Sequence, residues 1–247
     1  MLWPPLLALL GAVLGSFIAT LVVRWPQGRS VARGRSACDG CSRTLRPIEL
    51  IPLLSAAVQR GRCGTCAAPI APVHWQVELA AAAIGAAAGI VAPGIEGLAG
   101  AVFGWLLLAL AALDLAAWWL PNRLVVPLAI TGSFSGLYGL PPTADERLIG
   151  GAGGFALLWL VAECYRRMRG RVGMGGGDPK LFGAIGLWLG WRLLPAVLLI
   201  AAMVGLGVVV CRRLRGEAVT RTDALPLGAL LAIAAVPAWL VMVALRP

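Results

Sequence analysis

Two aspartates stand where a carboxylate is expensive, and four cysteines stand at the spacing of a metal site. Asp114 lies in the run from Trp105 to Asn122, which carries no other charge. Insertion scales put an ionised carboxylate at the centre of an apolar helix at about 2.5–3.5 kcal/mol, so such a residue is a functional candidate. The plainer alternative is a polar residue near a helix end that reaches water or Arg123. Asp178 lies in Gly173-Met174-Gly175-Gly176-Gly177-Asp178-Pro179-Lys180. Asp is a preferred N-cap and Pro a preferred first helical residue, so Asp178-Pro179 also reads as an ordinary helix start. Three successive glycines argue for more, because they let the backbone approach another group closely. The segment lacks the Lys-Ser/Thr ending of a phosphate loop, and no strand precedes it. Two carboxylates that share one proton can serve as base and acid for attack of water on an amide. His74 is the sole imidazole, so no Ser-His or Cys-His pair competes. Gly175, Gly176 and Gly177 are the candidates for contact with a substrate backbone.

Cys38-Asp39-Gly40-Cys41 and Cys63-Gly64-Thr65-Cys66 each offer two thiolates to one metal. Together Cys38, Cys41, Cys63 and Cys66 complete a closed tetrahedral set, which predicts one structural Zn²⁺ and no open catalytic position. The gap between the pairs lies just beyond the usual zinc-ribbon window. Each pair is followed by a Pro-Ile, at Pro47-Ile48 and Pro69-Ile70. A redox dithiol or a pair of disulfides is the rival reading, disfavoured in a reducing compartment. Cys164 and Cys211, isolated near helix ends, read as small packing residues.

These groups must be positioned by a chain that is 60% hydrophobic and only 13% charged, with 32 Gly in 247 residues. Average soluble chains carry about 45–50% apolar and about 25% charged residues. A soluble enzyme and a disordered chain are both excluded, and small residues suit helices packed closely in a bilayer. Spans of roughly 17–25 apolar residues are predicted at 2–23, 75–91, 98–117, 124–140, 148–165, 193–211 and 225–245. A shorter one is predicted at 181–190. The fold class is an all-α polytopic membrane protein of about eight transmembrane helices, with a small cytosolic zinc-ribbon-like insertion after the first. The domain division is 1–23 first helix, 24–74 four-cysteine domain and 75–247 transmembrane domain.

The net charge is +10, and 20 of the 21 basic residues are Arg. Segments 24–74, 118–123, 166–180 and 212–224 hold eighteen of them, leaving Arg147, Arg192 and Arg246 for the other face. Basic residues collect in cytoplasmic loops, which predicts both termini outside and a cytosolic first loop. Most acids read as ordinary: Asp39, Glu49, Asp145, Glu146, Glu217 and Asp223 in loops, Glu96 in an outer turn, Glu78 and Glu163 near span ends. The basic loops point to membrane lipid as a partner and not to nucleic acid.

With these residues in place, the chain resembles the type IV prepilin peptidases, membrane aspartic proteases of the GxGD type. Gly15-Ser16-Phe17 with Arg24 and Pro26 looks like the family's opening stretch. The cysteine pairs, with Ile51-Pro52-Leu53-Leu54-Ser55 between them, look like its cytosolic domain. Asp114 with Leu120-Pro121-Asn122 matches the first catalytic motif, and Gly173 to Lys180, continued by Leu187-Trp188-Leu189-Gly190-Trp191, matches the second. The resemblance implies removal of a short basic leader from prepilins or secretion pseudopilins at the cytosolic face of the bacterial inner membrane, with Asp114 and Asp178 catalytic. Many members also methylate the new N-terminus with S-adenosylmethionine. Here the chain departs from the pattern: Ala19 and Leu50 stand where the family commonly has Asn, and its late Pro-Phe-Gly-Pro reads Pro226-Leu227-Gly228-Ala229. Two other classes fit part of the sequence. A non-enzymatic assembly factor with a zinc docking module gives no reason for the aspartates. A proton-coupled transporter calls for inverted repeats that are not evident.

Overall fold

A computed structural model of the chain describes residues 2–31, 36–38, 40–218, 220 and 224–245. Asp39, Asp223 and Arg246, assigned above to loops or to the outer face, lie outside the described residues. Nine α-helices form among those described: α1 Trp3–Arg24, α2 Leu54–Val58, α3 Val73–Val91, α4 Ile95–Ala117, α5 Asn122–Ser135, α6 Ala144–Arg169, α7 Asp178–Leu189, α8 Leu194–Leu214 and α9 Leu227–Ala244. Six of them (α1, α3, α4, α6, α8 and α9) are long and apolar enough to cross a bilayer. With α5 and α7, of 14 and 12 residues, they make the expected set of about eight, and α2 is a five-residue turn. No strand occurs among the described residues. The four-cysteine insertion follows α1.

Most helices begin and end within a few residues of the expected spans, but α6 is longer at both ends. It takes in Ala144–Arg147, expected as a polar turn, and Arg166–Arg169, expected as loop. Asp145 and Glu146 fall in its first turn and three Arg in its last, an arrangement that complements the helix dipole.

The chain divides into two compact units, Met1–Ala109 and Leu110–Pro247. In the first, α1 packs on α3 through Gly11 and Gly15 on one helix and Gly85 and Gly89 on the other. A Cβ on Gly15 would meet the Glu78 Cα at 2.7 Å, and one on Gly89 the Pro4 Cα at 2.8 Å. The paired G-x-x-x-G spacing lets the two backbones touch. The Trp105 indole of α4 donates to the Ala81 carbonyl of α3 at 2.9 Å.

In the second unit α7 is buried along nearly its whole length, with α5, α6 and α9 packed on it. A Cβ on Gly150 would lie 2.6 Å from the Gly186 oxygen, so only glycine allows this crossing of α6 and α7. Arg147, expected in an exposed turn, is instead 3% exposed. Its Nε donates to Pro142, Nη1 to Gly132 (2.6 Å) and Leu187 (2.8 Å), and Nη2 to Leu140 and Pro141. All five guanidinium donors thus meet carbonyls. Gly132 and Leu187 belong to the last turns of α5 and α7, where carbonyls run out of backbone partners, and the Gly132 oxygen also accepts the Ser135 hydroxyl at 2.9 Å.

Candidate active site and metal centre

Three helix ends build the acidic site, all in the second unit. Asp114 sits in the last turn of α4. That helix stops at Trp118, whose N–H still bonds the Asp114 carbonyl (2.9 Å) while its φ of 53° is left-handed. Such a conformation costs a bulky residue on the order of 1–3 kcal/mol. It turns the chain back, so that Leu120 packs against Gly177 and Gly228. Asp178 is the first residue of α7, and its N-cap position falls to Gly177 with no side-chain cap bond. The Asp178 carboxyl is therefore not engaged as a cap, which was the ordinary explanation for it.

The third end is that of α9. Its Ala229 N–H donates to Asp114 Oδ2 at 2.9 Å, and the Gly228 N–H is directed at both carboxyls. Asp114 and Asp178 are each 6% exposed and near enough to interact electrostatically. The free N–H groups of a helix N-terminus carry partial positive charge, here presented to two acids. Gly228 and Ala229 were not singled out from sequence, where their stretch stood only as a departure from a family pattern. The usable signal was Pro226, a helix-start residue, followed within two residues by a glycine.

The candidate substrate-contacting glycines differ among themselves. A Cβ on Gly175 would lie 3.1 Å from Asp178 Oδ2, and one on Gly177 2.7 Å from the Leu120 Cβ. Both positions are glycine for the protein's own packing. Only Gly176 of the three faces open space. Between α8 and α9 an apolar cleft of ≈470 Å³ is lined by Leu198, Ala201, Ala202, Gly205, Leu227 and Leu230 among others. Leu227 directly precedes Gly228.

The cysteine centre belongs to the first unit and is built by repetition. Cys38 N–H bonds Arg43 O, Ser42 N–H bonds Cys38 O, and Leu45 N–H bonds Ser36 O; Cys63 with Ala68, Ala67 with Cys63, and Ile70 with Gly61 repeat the pattern. Ser42 and Ala67 share a left-handed φ of 56° and 57°. The bridges Ala37–Thr44 and Arg62–Pro69 close the two turns. In this register Pro69-Ile70 is equivalent to Thr44-Leu45, so the Pro-Ile pair after each motif is not what the two turns have in common. The four Sγ atoms lie within 4.8 Å of one another, with Cys38 and Cys66 at 3.7 Å. A tetrahedron with Zn–S near 2.3 Å places its sulfurs about 3.8 Å apart. The donor set fits zinc. The backbone N–H groups of Cys66 and Thr65 draw the Cys63 thiol down to about 6, helped by Cys38 and Arg43 and opposed by burial. Arg43 in turn holds Glu49 in a two-pronged ion pair at 2.8 and 3.0 Å.

Glu78, expected near a span end, is buried and accepts the Leu53 N–H at 2.8 Å. It lines a cavity of ≈160 Å³ with Ser16, Thr20, Arg24 and His74.

Comparison with known proteins matches the Bacterial Peptidase A24 N-terminal domain at residues 9–92 and the Type IV leader peptidase family at residues 101–210. The chain is 39% identical over 200 residues to a prepilin leader peptidase/N-methyltransferase of Burkholderia pseudomallei, covering 80% of this chain and 64% of that one. A protein of the same name from Pseudomonas aeruginosa is 35% identical over 255 residues, covering 92% and 86%. One from Klebsiella pneumoniae is 36% identical over 208 residues, covering 81% and 91%. The chain thus spans under two thirds of the Burkholderia relative's length and most of the other two. No solved structure matches it.

Proposed function

The chain belongs to the type IV leader peptidase family, and we propose that it removes the leader from prepilins or pseudopilins with Asp114 and Asp178 as the catalytic pair. The observation that carries this is the meeting of both carboxyls around Gly228, at three helix ends within one unit. On this reading the two interacting acids share one proton. The ionised member takes a proton from water as its oxygen attacks the scissile carbonyl carbon, while the protonated member gives its proton to the carbonyl oxygen. Collapse of the tetrahedral intermediate breaks the C–N bond: a hydroxyl of the intermediate returns its proton to the second acid as the C=O re-forms, and the leaving amine receives the proton held by the first acid. The pair then returns to its starting state.

The substrate's apolar segment lies along the α8–α9 cleft, which runs to Leu227 beside the pair, and its cleavage-site backbone reaches the open Gly176. The distribution of basic loops favours a cytosolic site with both termini outside. Their Arg residues meet anionic headgroups at about 1 kcal/mol each near the surface. One Zn²⁺ on Cys38, Cys41, Cys63 and Cys66 fixes the first loop and takes no part in the chemistry. S-adenosylmethionine finds poorer support. Ala19 is fully buried in α1 and Leu50 is an exposed apolar side chain, so neither supplies the polar group the family has there. The matched relatives are named prepilin leader peptidase/N-methyltransferase, so methylation of the new N-terminus stays part of the reading, with no residue of this chain assigned to the methyl donor.

Purified protein in proteoliposomes, given a prepilin, tests the reading against Asp114→Asn. Cleavage by the unaltered chain and its loss in the variant is expected. Equal cleavage by both would overturn the pair.

A further inference from the structure

Lys180 is the only lysine among 21 basic residues. It lies in the first turn of α7, two residues past Asp178, and its Nζ donates to Asn122 Oδ1 at 3.2 Å. Asn122 opens α5, directly after the Leu120-Pro121 segment by which the chain returns from Asp114. The bond therefore joins the stretch that follows one acid to the stretch that carries the other. It runs beside a second tie between the same stretches, the contact of Leu120 with Gly177.

The residue type is informative. An ammonium is a compact charge with three rotatable donors, whereas a guanidinium is a planar fork that wants paired acceptors. A single amide oxygen is a partner for the first. In a chain that uses arginine at every other basic position, the one exception stands where a fork would be the wrong shape.

We propose that Lys180 and Asn122 are a positioning pair: their bond holds the start of α7 against the start of α5 and sets the spacing of the Asp114 and Asp178 carboxyls. Neither residue touches the reacting atoms. The catalytic consequence rests on the peptidase reading, but the spacing is measurable without it.

Full-length protein in proteoliposomes carrying Lys180→Met, Lys180→Arg, Asn122→Ala or both Lys180→Met and Asn122→Ala would be assayed on a prepilin. A misplacement of about an ångström in a catalytic group can lower rates by about a hundredfold. We expect kcat to fall between about ten- and a hundredfold in each single variant with KM little changed. Lys180→Arg should not restore it, and the double variant should be no worse than either single. A change confined to KM, rescue by arginine, or multiplying effects in the double variant would each overturn the pair. Both side chains are exposed, so the variants remain compatible with the fold. A second readout needs no activity. In zinc-bearing Asp114→Cys/Asp178→Cys protein, a short bifunctional thiol reagent should link the two positions, as read by mass spectrometry of the joined peptides. Adding Lys180→Met should lower that yield, and an unchanged yield overturns the proposal. Failure of the unaltered chain to cleave prepilin would instead sink the peptidase reading and leave the cross-linking result to decide the spacing.

Discussion

The four cysteines and the two aspartates are gathered by opposite means. In the first loop two short turns repeat the same three hydrogen bonds and bring four sulfurs within 4.8 Å. Each turn is complete in about ten residues, and a metal can hold the two together. The acids have no such local device: one ends α4, the other begins α7, and the N–H groups that face them open α9. Their meeting depends on helices that approach through Gly150, Gly177, Gly183, Gly186 and Gly228. A site made by local turns should fail with its metal, and a site made by helix packing should fail with its backbone contacts.

The largest effects test that separation directly. Asp178→Asn should lower cleavage by roughly 10²–10⁴-fold, the usual worth of a general acid or base, while the zinc content stays near one ion per chain. Cys63→Ser should do the reverse to the metal, because ligand loss from a structural site unfolds the segment it holds. Elemental analysis and cleavage rates on the same preparations decide it. Zinc lost from the aspartate variant, or retained in full by the cysteine variant, would mean that the two sites are not separable.

How far each site was legible follows from the same contrast. C-x-x-C carries its geometry in its spacing, so the cluster could be read residue by residue, although the true repeat register could not. The eight principal helices were legible because apolar length is a local property. Arg147 was misplaced because its burial depends on the carbonyl ends of α5 and α7, which no window around residue 147 contains. Gly228 and Ala229 were passed over for a like reason. Their N–H groups matter only because α9 starts beside two acids that come from elsewhere in the chain. Glu78 reads as an ordinary acid near a span end, and its partner, the Leu53 N–H, lies twenty-five residues earlier.

Substrate variants sharpen the packing side of the comparison. A site enclosed by helix ends leaves little room before the scissile bond. Enlarging the substrate residue there should therefore slow cleavage by about 10–200-fold, the range for misfit of small groups in a tight pocket. Removing one leader charge should change it by less than about fivefold, since an exposed ion pair is worth at most about 1 kcal/mol. Initial rates for the two substrates in matched proteoliposomes distinguish them. Greater damage from the charge deletion would make recognition electrostatic.

The cleft offers a test with a different kinetic signature. Ala202 lies on the cleft wall and is exposed, so Ala202→Trp can fill the space without disturbing the interior. KM for a full-length prepilin should rise about tenfold, in line with the 1–3 kcal/mol of an overfilled contact. A short peptide spanning only the cleavage site should be cut as before. Met203→Trp, exposed on the same helix but off the cleft, is the control, and equal behaviour of the two variants would remove the cleft from substrate binding.

The glycines beside the pair should respond in graded fashion. Gly177→Ala and Gly228→Ala place a methyl 2.7 and 2.6 Å from Leu120 atoms. The Gly228 contact is with the Leu120 Cδ1, which can shift, whereas the Gly177 contact is with the Leu120 Cβ, which moves only with the backbone, so we expect stability losses of about 1–3 kcal/mol, larger for Gly177→Ala, with a matching fall in kcat. Gly176→Ala meets nothing within 4 Å and should leave stability unchanged. Thermal unfolding of the three variants checks the order, and a Gly176→Ala protein as unstable as the others would refute the local geometry.

The smallest effect belongs to the cysteine loop and concerns charge. Glu49 receives the Arg43 guanidinium and the Arg46 N–H, at 2.7 Å for the latter, and is held down to about 2 from an ordinary 4.5. A carboxyl depressed on folding contributes stability that is fully present above its unfolded value and is lost as pH falls through the folded one. The stability difference between the unaltered chain and Glu49→Gln should thus be constant from neutral pH to about 4.5 and close as pH falls toward about 2. Zinc content is followed alongside, because loss of the metal as the thiolates are protonated unfolds the segment that holds Glu49 and would close the difference at a higher pH. Because Arg43 also reaches Cys63 Sγ at 4.0 Å, the substitution leaves the guanidinium a remaining partner, which keeps the effect small. Hydrogen exchange at the Arg46 N–H, compared between the two proteins across this pH range, reads the difference at the bond itself. A gap that persists unchanged at the acid end would mean that Glu49 acts through shape and not through its charge, while cleavage at neutral pH should be the same in both.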